Sequence, residues 1–468
     1  MDNIFNREIA DKYNIVPVRY ENNILDVLSL KDDEELKKYL EYLTGKNINL
    51  IQTTMKDIEI NKNKIFKNRY LYYLENDVFK LNEEEKIDEI TDTSVVIDIV
   101  NNIISYAISL NSSDIHFEGK EDSFNVRFRI DGSLTDIIKI NKKYQQNIIS
   151  RIKVLCNLDY TIRSIPQDSR FTFNYNNRNI DIRVATIPTV FGEKLVLRIL
   201  DRQYFQHTKE GIGLSGKNLQ KVDLLLQQPS GLILCCGPTG SGKSSTIYTL
   251  LKNIAKEDVN IITIEDPVEF KISEINQVNI NDKSGLTFEK GLEAILRLDP
   301  DAVMVGEIRN LDTARTAIGA SITGRKVFST IHTSDCPSTI YRLKDMGVED
   351  YLISSGLIGI ISQRLVRKLC DCKKKVKKYV ELFNEEIEYY EPVGCEKCNN
   401  GYSGRFAVYE ILIVTERIRF AINNNYSLNE IERIALEEGM VSMKEALKSY
   451  LVKGTTSIEE IYKNIFTI

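Results

Sequence analysis

Between residues 230 and 332 the chain repeats one pattern: a short apolar run, a polar ending, then a stretch with helical spacing. The runs are Leu232–Cys236, Val259–Ile264, Ala302–Val305 and Val327–Ile331. Apolar runs of this kind predict strands of a parallel sheet covered on both faces. Upstream the pattern differs. Apolar residues at 96, 99, 100, 103, 104, 107 and 108 form a helical stripe within Ser94–Leu110, the mark of a helix with one face on a core. From there to about residue 201 strands dominate, as in Phe124–Ile130. Residues 1–90 alternate short strands, such as Ile24–Leu28, with a helical pattern near Glu34–Leu43. Residues 202–217 read as a flexible joint. Their Gly211, Gly213 and Gly216 have dinucleotide-loop spacing, but no strand runs directly into them. The segment Cys370–Cys398 interrupts the pattern with lysines and cysteines, and residues 413–468 read as helices.

The polar endings carry the chemistry, because ligands of open parallel sheets bind beyond the carboxyl ends of the strands. The first ending is Gly237-Pro238-Thr239-Gly240-Ser241-Gly242-Lys243-Ser244, followed by Ser245 and a helix to Ile254. Such a loop turns backbone N–H groups and the positive helix end toward a phosphate. Lys243 would reach the outer phosphates of ATP, and the Ser244 hydroxyl would ligate Mg²⁺. The other endings supply Glu265, Asp266 and Glu269, then Glu307, then His332. Phosphoryl transfer to water needs a metal, fixed positive charge and a carboxylate that orients the water. Glu307 suits the Mg²⁺ shell or the attacking water, with Glu265, Asp266 and Glu269 as further candidates and His332 as a sensor of the γ-phosphate. The alternative is that these carboxylates cap helices or pair with Arg297, Arg309 or Arg315.

Bulk properties narrow the partners. The 468 residues allow two to four domains, and 28% charged with 42% hydrophobic residues is globular. The net charge of −5 gives no reason to expect a nucleic-acid partner. No apolar run approaches the roughly 20 residues that span a bilayer, and the first residues do not resemble a signal peptide. The expectation is a cytoplasmic protein with at most peripheral membrane association. Eight cysteines then suggest thiols or metal ligands rather than disulfides; Cys156, Cys235, Cys236 and Cys336 have core-residue surroundings.

The motifs, in order, resemble those of the secretion ATPases, and within them the type IV pilus assembly and type II secretion motors. The resemblance rests on Gly237–Ser244, Thr263–Phe270, Leu298–Asp301 with Val305–Arg309, and Ser329–Thr333. It extends to Ser113–Glu118, Pro166–Asp168, Asp181–Val184, Gly192–Lys194 with Arg198, and Lys453–Thr456. It implies an α/β protein: a RecA-like phosphate-loop domain over 205–412, an α+β, PAS-like domain over 91–204, a small α/β adaptor over 1–90, and a helical region over 413–468. It further implies a homohexamer with ATP bound between two domains, and matches Arg183 and Arg198 to arginines that reach the phosphates. A surface salt bridge is the alternative for both. Where the family has Thr-Gly-His, this chain has Thr323-Gly324-Arg325, and Arg325 could still meet a phosphate.

The family's assembly and secretion members also carry two Cys-x-x-Cys pairs that bind structural zinc. Here Cys395 and Cys398 match, whereas Cys370 and Cys372 are one residue short, within a tetracysteine module spanning 368–400. Four thiolates would hold Zn²⁺ and lock a loop-rich excursion, and Lys373–Lys378 would offset their charge. The alternative is a lysine-rich surface loop with reduced cysteines. Together these features lead to a motor that hydrolyses ATP to assemble a pilin filament, working on an inner-membrane platform protein. The rivals are a type II secretion motor, a retraction motor and a DNA-translocating RecA-type ATPase.

Overall fold

A computed structural model describes residues 7–62 (without 22, 56, 59 and 60), 74, 78, 89–200, 208–395 and 398–466. It divides into two compact units, Met1–Leu200 and Asp201–Ile468. The first part of the joint at 202–217, residues 202–207, lies outside the described residues.

The first unit opens with α1 (Arg7–Tyr13), β1 (Ile15–Glu21), β2 (Ile24–Ser29), α2 (Glu34–Thr44) and β3 (Asn47–Gln52). β1 and β2 are antiparallel and β2 and β3 parallel. Asp33 starts α2 by accepting from the N–H groups of Glu35 and Leu36, and Gly45 ends it in the left-handed region at φ 64°. α3 (Glu89–Ser109) follows, and all seven positions of its predicted stripe are buried. The stripe packs in one core with β4 (Asp114–Gly119), β5 (Ser123–Ile130), β6 (Ser133–Asn141), α4 (Gln145–Leu155), β7 (Gln167–Tyr175), β8 (Arg178–Thr189) and β9 (Gly192–Leu200). These strands form an antiparallel sheet in the order β6-β5-β4-β9-β8-β7. β5 alternates buried and half-buried positions, as a sheet with one covered face requires.

The second unit begins with α5 (Gly216–Gln227), β10 (Gly231–Cys236), α6 (Lys243–Ile254), β11 (Ile261–Glu265), β12 (Asn276–Asn279), α7 (Phe288–Ile295), β13 (Ala302–Val305), α8 (Leu311–Ile322) and β14 (Lys326–Ile331). α9 (Cys336–Asp345), α10 (Asp350–Gly356), β15 (Leu357–Leu369), β16 (Lys374–Val380), β17 (Glu385–Glu391) and β18 (Tyr402–Ile413) follow. The chain closes with α11 (Glu416–Asn423), α12 (Leu428–Glu437), α13 (Met443–Val452) and α14 (Ile458–Phe466). The main sheet runs β12-β11-β13-β14-β10-β15-β18 and is parallel except at β18. Every residue of β10, β11 and β13 is buried, so the continuous apolar runs are strands covered on both faces. Cys156, Cys235, Cys236 and Cys336 are buried, as expected. No helix among the described residues is long and apolar enough to cross a membrane.

One expectation is corrected. The segment between the cysteine pairs contains an ordered hairpin, β16–β17, rather than loops alone. Its lysines face carboxylates across the strands: Lys375 with Glu388, Lys377 with Glu386 at 3.0 Å, and Lys378 with Glu391 at 2.6 Å. These pairs are offset along the strands rather than directly opposite, and cross-strand opposite charges favour the hairpin, so these lysines are committed to carboxylates and not to the thiolates. The hairpin's apolar side, with Val380, Ile387 and Tyr389, packs with α13 and α14.

Candidate functional site

Strand register brings the polar endings together. β11, β13, β14 and β10 are consecutive in the sheet. Cys236 is level with Ile331, Val305 with Ser329, and Ile264 with Val305. Gly237 and His332 therefore each follow one member of a paired position, on strands about 4.8 Å apart. The turn after β13 is also bonded to the end of β14: Ile308 N donates to the Thr330 carbonyl at 2.9 Å, and Thr330 Oγ1 to that of Gly306 at 2.7 Å.

The phosphate loop needs its glycines. Gly237 has φ 141°, and a Cβ there would lie 2.5 Å from the Gln363 carbonyl oxygen. Gly242 has φ 89°, and its Cβ would lie 2.8 Å from Gln363 Nε2. Gln363, on β15, also accepts from Thr246 Oγ1 at 2.6 Å, so it holds both the loop and the first turn of α6. Lys243 is buried, and its Nζ donates to the carbonyls of Gly237 and Pro238 at 2.8 and 3.0 Å. Burial holds its ammonium below the ordinary lysine range, and the Glu307 carboxylate is among the charges opposing that shift. Ser244 is exposed and Ser245 half-buried, while Ser241 Oγ is buried without a partner among the described residues. Pro238 is half-buried, and Thr239 and Gly240 are exposed.

Glu307 is ion-paired with Arg309 and lies 3.9 Å from His332 Nε2. Pairing with a nearby arginine, the alternative role of these carboxylates, is thus partly realised at Glu307, and Asp266 acts electrostatically on the same Arg309. Arg315 instead pairs with Glu349. Burial, then the Lys243 ammonium, lowers the His332 pKa, so the imidazole is neutral at pH 7 and can accept or donate a hydrogen bond. Glu265 differs from its neighbours. It is buried, and it accepts from the Tyr248 hydroxyl, from Thr263 Oγ1 at 2.6 Å and from Gln277 Nε2 at 3.3 Å. Burial raises its pKa. Glu269 is half-buried, within electrostatic reach of Tyr248 and Glu265.

Arg325 is placed elsewhere. It precedes the first residue of β14 and bonds the Thr323 carbonyl at 3.1 Å. Its carbonyl meets Gly231 N, at the start of β10. It therefore lies at the amino ends of the strands, opposite the carboxyl ends that carry Lys243, and a contact with a phosphate at this chain's own rim is not supported. In the first unit, Arg183 and Arg198 are direct cross-strand partners on β8 and β9. Arg198 also binds Asp114 through Nε at 3.0 Å, which is the surface pair named as the alternative.

The four module cysteines converge. Sγ separations are 3.8 Å for Cys370–Cys395, 3.9 Å for Cys372–Cys398 and 3.6 Å for Cys395–Cys398. All four lie within 4.8 Å of one another. Tetrahedral thiolates at about 2.3 Å from zinc stand about 3.8 Å apart, so the donor set fits, and the short first pair is no obstacle.

Sequence reasoning missed Gln363 and Arg364. The signal was present: Ser362-Gln363-Arg364 breaks an otherwise apolar run, Leu357–Val366, with all three side chains buried.

Known proteins match this arrangement. A family model described as type II/IV secretion system protein covers residues 89–463. The chain is 39% identical over 400 residues to the type II secretion system ATPase E of Vibrio cholerae, covering 83% of this chain and 79% of that one. It is 36% identical over 483 residues to the type IV pilus assembly ATPase PilB of Myxococcus xanthus, covering 98% and 85%. Among solved structures, the pilus retraction motor PilT with bound ADP superposes with a TM-score of 0.53 at 27% identity, covering 78% of this chain and 96% of that one.

Proposed function

The chain belongs to the type II/IV secretion system protein family, and from that premise we propose that it is the motor of pilin-filament assembly, a homohexamer at the cytoplasmic face of the membrane. It is an ATPase of the secretion and pilus machines. The observation that carries the site assignment is the gathering of Lys243, Glu307 and His332 at one rim of a parallel sheet. Lys243 holds the outer phosphates, and Ser244 offers a hydroxyl to the metal. Glu307 orients or deprotonates the attacking water, and a neutral His332 senses the terminal phosphate. Bound Mg²⁺ would supply charge neutralisation at the transferred group. Asp266 and Glu269 border the same rim, and the bonded carboxylate of Glu265 fixes the start of the acidic turn. Arg183 and Arg198 are the guanidiniums proposed to meet developing phosphate charge.

On this reading residues 205–412 form a RecA-like ATPase domain, 91–204 a PAS-like domain, 1–90 an adaptor and 413–468 a helical region. Cys370, Cys372, Cys395 and Cys398 hold a structural zinc ion, and an inner-membrane platform protein receives the work. Assembly of a filament is favoured over protein secretion because the alignment with the pilus assembly ATPase spans 98% of the chain, and so most of its first ninety residues, against 83% for the secretion ATPase. The secretion role stays the second reading on its slightly higher identity. Deleting the gene and imaging surface fibres decides: lost fibres support assembly, extra fibres mean retraction, and unchanged fibres with lost protein export mean secretion.

A further inference from the structure

Arg364 is almost fully buried, and a buried guanidinium is costly unless every donor it hides is bonded. Its donors go to three backbone carbonyls on three different elements. Nη1 donates to Gln363 at 3.1 Å, on β15 beside the phosphate loop. Nη2 donates to Ser334 at 2.6 Å, inside the four-residue turn between β14 and α9 that carries His332. Nε donates to Asn464 at 3.4 Å, in the last turn of α14. Carbonyls in the last turn of a helix lack partners within it, and a cation there satisfies one and meets the negative end of the dipole. The same guanidinium lies beside the phosphate loop: a Cβ on Gly237 would come 3.2 Å from Nη1.

We propose that Arg364 is a positioning residue that couples the His332 turn to the C-terminal helix, so that the state of the terminal phosphate is felt in α14. The inference rests on the nucleotide site described above. A turn that shifts when His332 gains or loses its phosphate partner shifts the Ser334 carbonyl with it. One rigid, planar fork then cannot keep both the Ser334 and Asn464 bonds unless the helix end moves as well. The neighbouring arginine provides the contrast. Arg367 grips Glu460 of the same helix through Nε at 2.7 Å and through its own N–H at 3.1 Å, and its guanidinium lies over the Tyr402 ring. Arg367 anchors the helix; Arg364 informs it.

The test is amide hydrogen exchange of residues 458–466 in the full chain, with ADP and with a non-hydrolysable ATP analogue, beside steady-state turnover. In the wild type, exchange of α14 differs between the two nucleotides. In Arg364→Met that difference vanishes and kcat falls by about tenfold or more while KM for ATP stays within about twofold. A chain ending at Lys463 keeps Arg364 but removes its acceptor, and loses the same difference. In Arg367→Met exchange rises with both nucleotides but the difference between them persists. Nucleotide affinity near the wild-type value certifies that each variant is folded. The proposal is overturned if α14 in Arg364→Met still distinguishes the nucleotides, or if the shortened chain behaves as wild type. A wild-type chain that binds ATP without hydrolysing it would sink the catalytic reading, whereas the exchange measurement, which needs only binding, would still decide the coupling.

Discussion

The two large sheets place their charged residues by opposite rules. In the parallel sheet of the second unit both faces are covered, so the strand interiors are apolar and polar chemistry is driven to the strand ends. In the antiparallel sheet of the first unit one face packs on the apolar core, and charges alternate along the strands on the other: Asp114, His116 and Glu118 on β4, Arg127 and Arg129 on β5, Lys194 and Arg198 on β9. A functional residue in the first arrangement ends an apolar run and stands out. In the second it is one polar position among many, each with a plausible ion-pair partner such as Asp114 for Arg198.

That difference explains what was legible in the sequence. Lys243, Glu307 and His332 follow apolar runs, and their convergence follows from the register of adjacent parallel strands. Arg183 and Arg198 were singled out only by family resemblance, because alternation alone does not distinguish a phosphate-reading arginine from a solvated one. Gln363 and Arg364 escaped because they lie mid-strand, where a polar side chain acts only through neighbours that the linear sequence does not name. The hairpin β16–β17 escaped because Lys374–Val380 lacks the strict alternation of a strand, and its charges have meaning only beside their cross-strand partners.

Substitutions sharpen the contrast between rim and face. The largest effect is expected at the rim: Lys243→Ala removes the only lysine in the phosphate loop and should lower turnover by about 10³-fold with weakened ATP binding, as read by phosphate release and fluorescent-nucleotide titration. On the face, Arg198→Ala should lower kcat by about 10²-fold if its guanidinium meets phosphate charge. Unchanged turnover would reduce it to an ion pair with Asp114, worth about 1 kcal/mol or less. Gly242→Ala forces a Cβ into a left-handed position against Gln363 Nε2. It should cost about 1–3 kcal/mol of stability, visible in chemical denaturation.

The smallest expected effect is the pH response of His116, whose pKa is lowered from 6.5 by burial and then by Arg129 and Lys194, against the opposing carboxylates of Asp114 and Glu118. Its folded pKa lies below the unfolded one, so the unfolded chain takes up the proton first. Stability from this group is full above pH 6.5, declines as pH falls below that value and is lost once pH has passed the lower folded pKa. Thermal melts of wild type and His116→Gln between pH 7.5 and 5.5 should therefore converge as pH falls. Parallel curves would show that the imidazole titrates alike in both states.

The central claim is that the strand-end rim breaks the terminal phosphate bond and that Glu307 serves the water, not the nucleotide. Single-turnover hydrolysis by Glu307→Gln, run beside equilibrium ATP binding, tests it most directly. The account predicts near-wild-type affinity with phosphate release slowed by about 10²-fold or more. Wild-type release from that variant would contradict it.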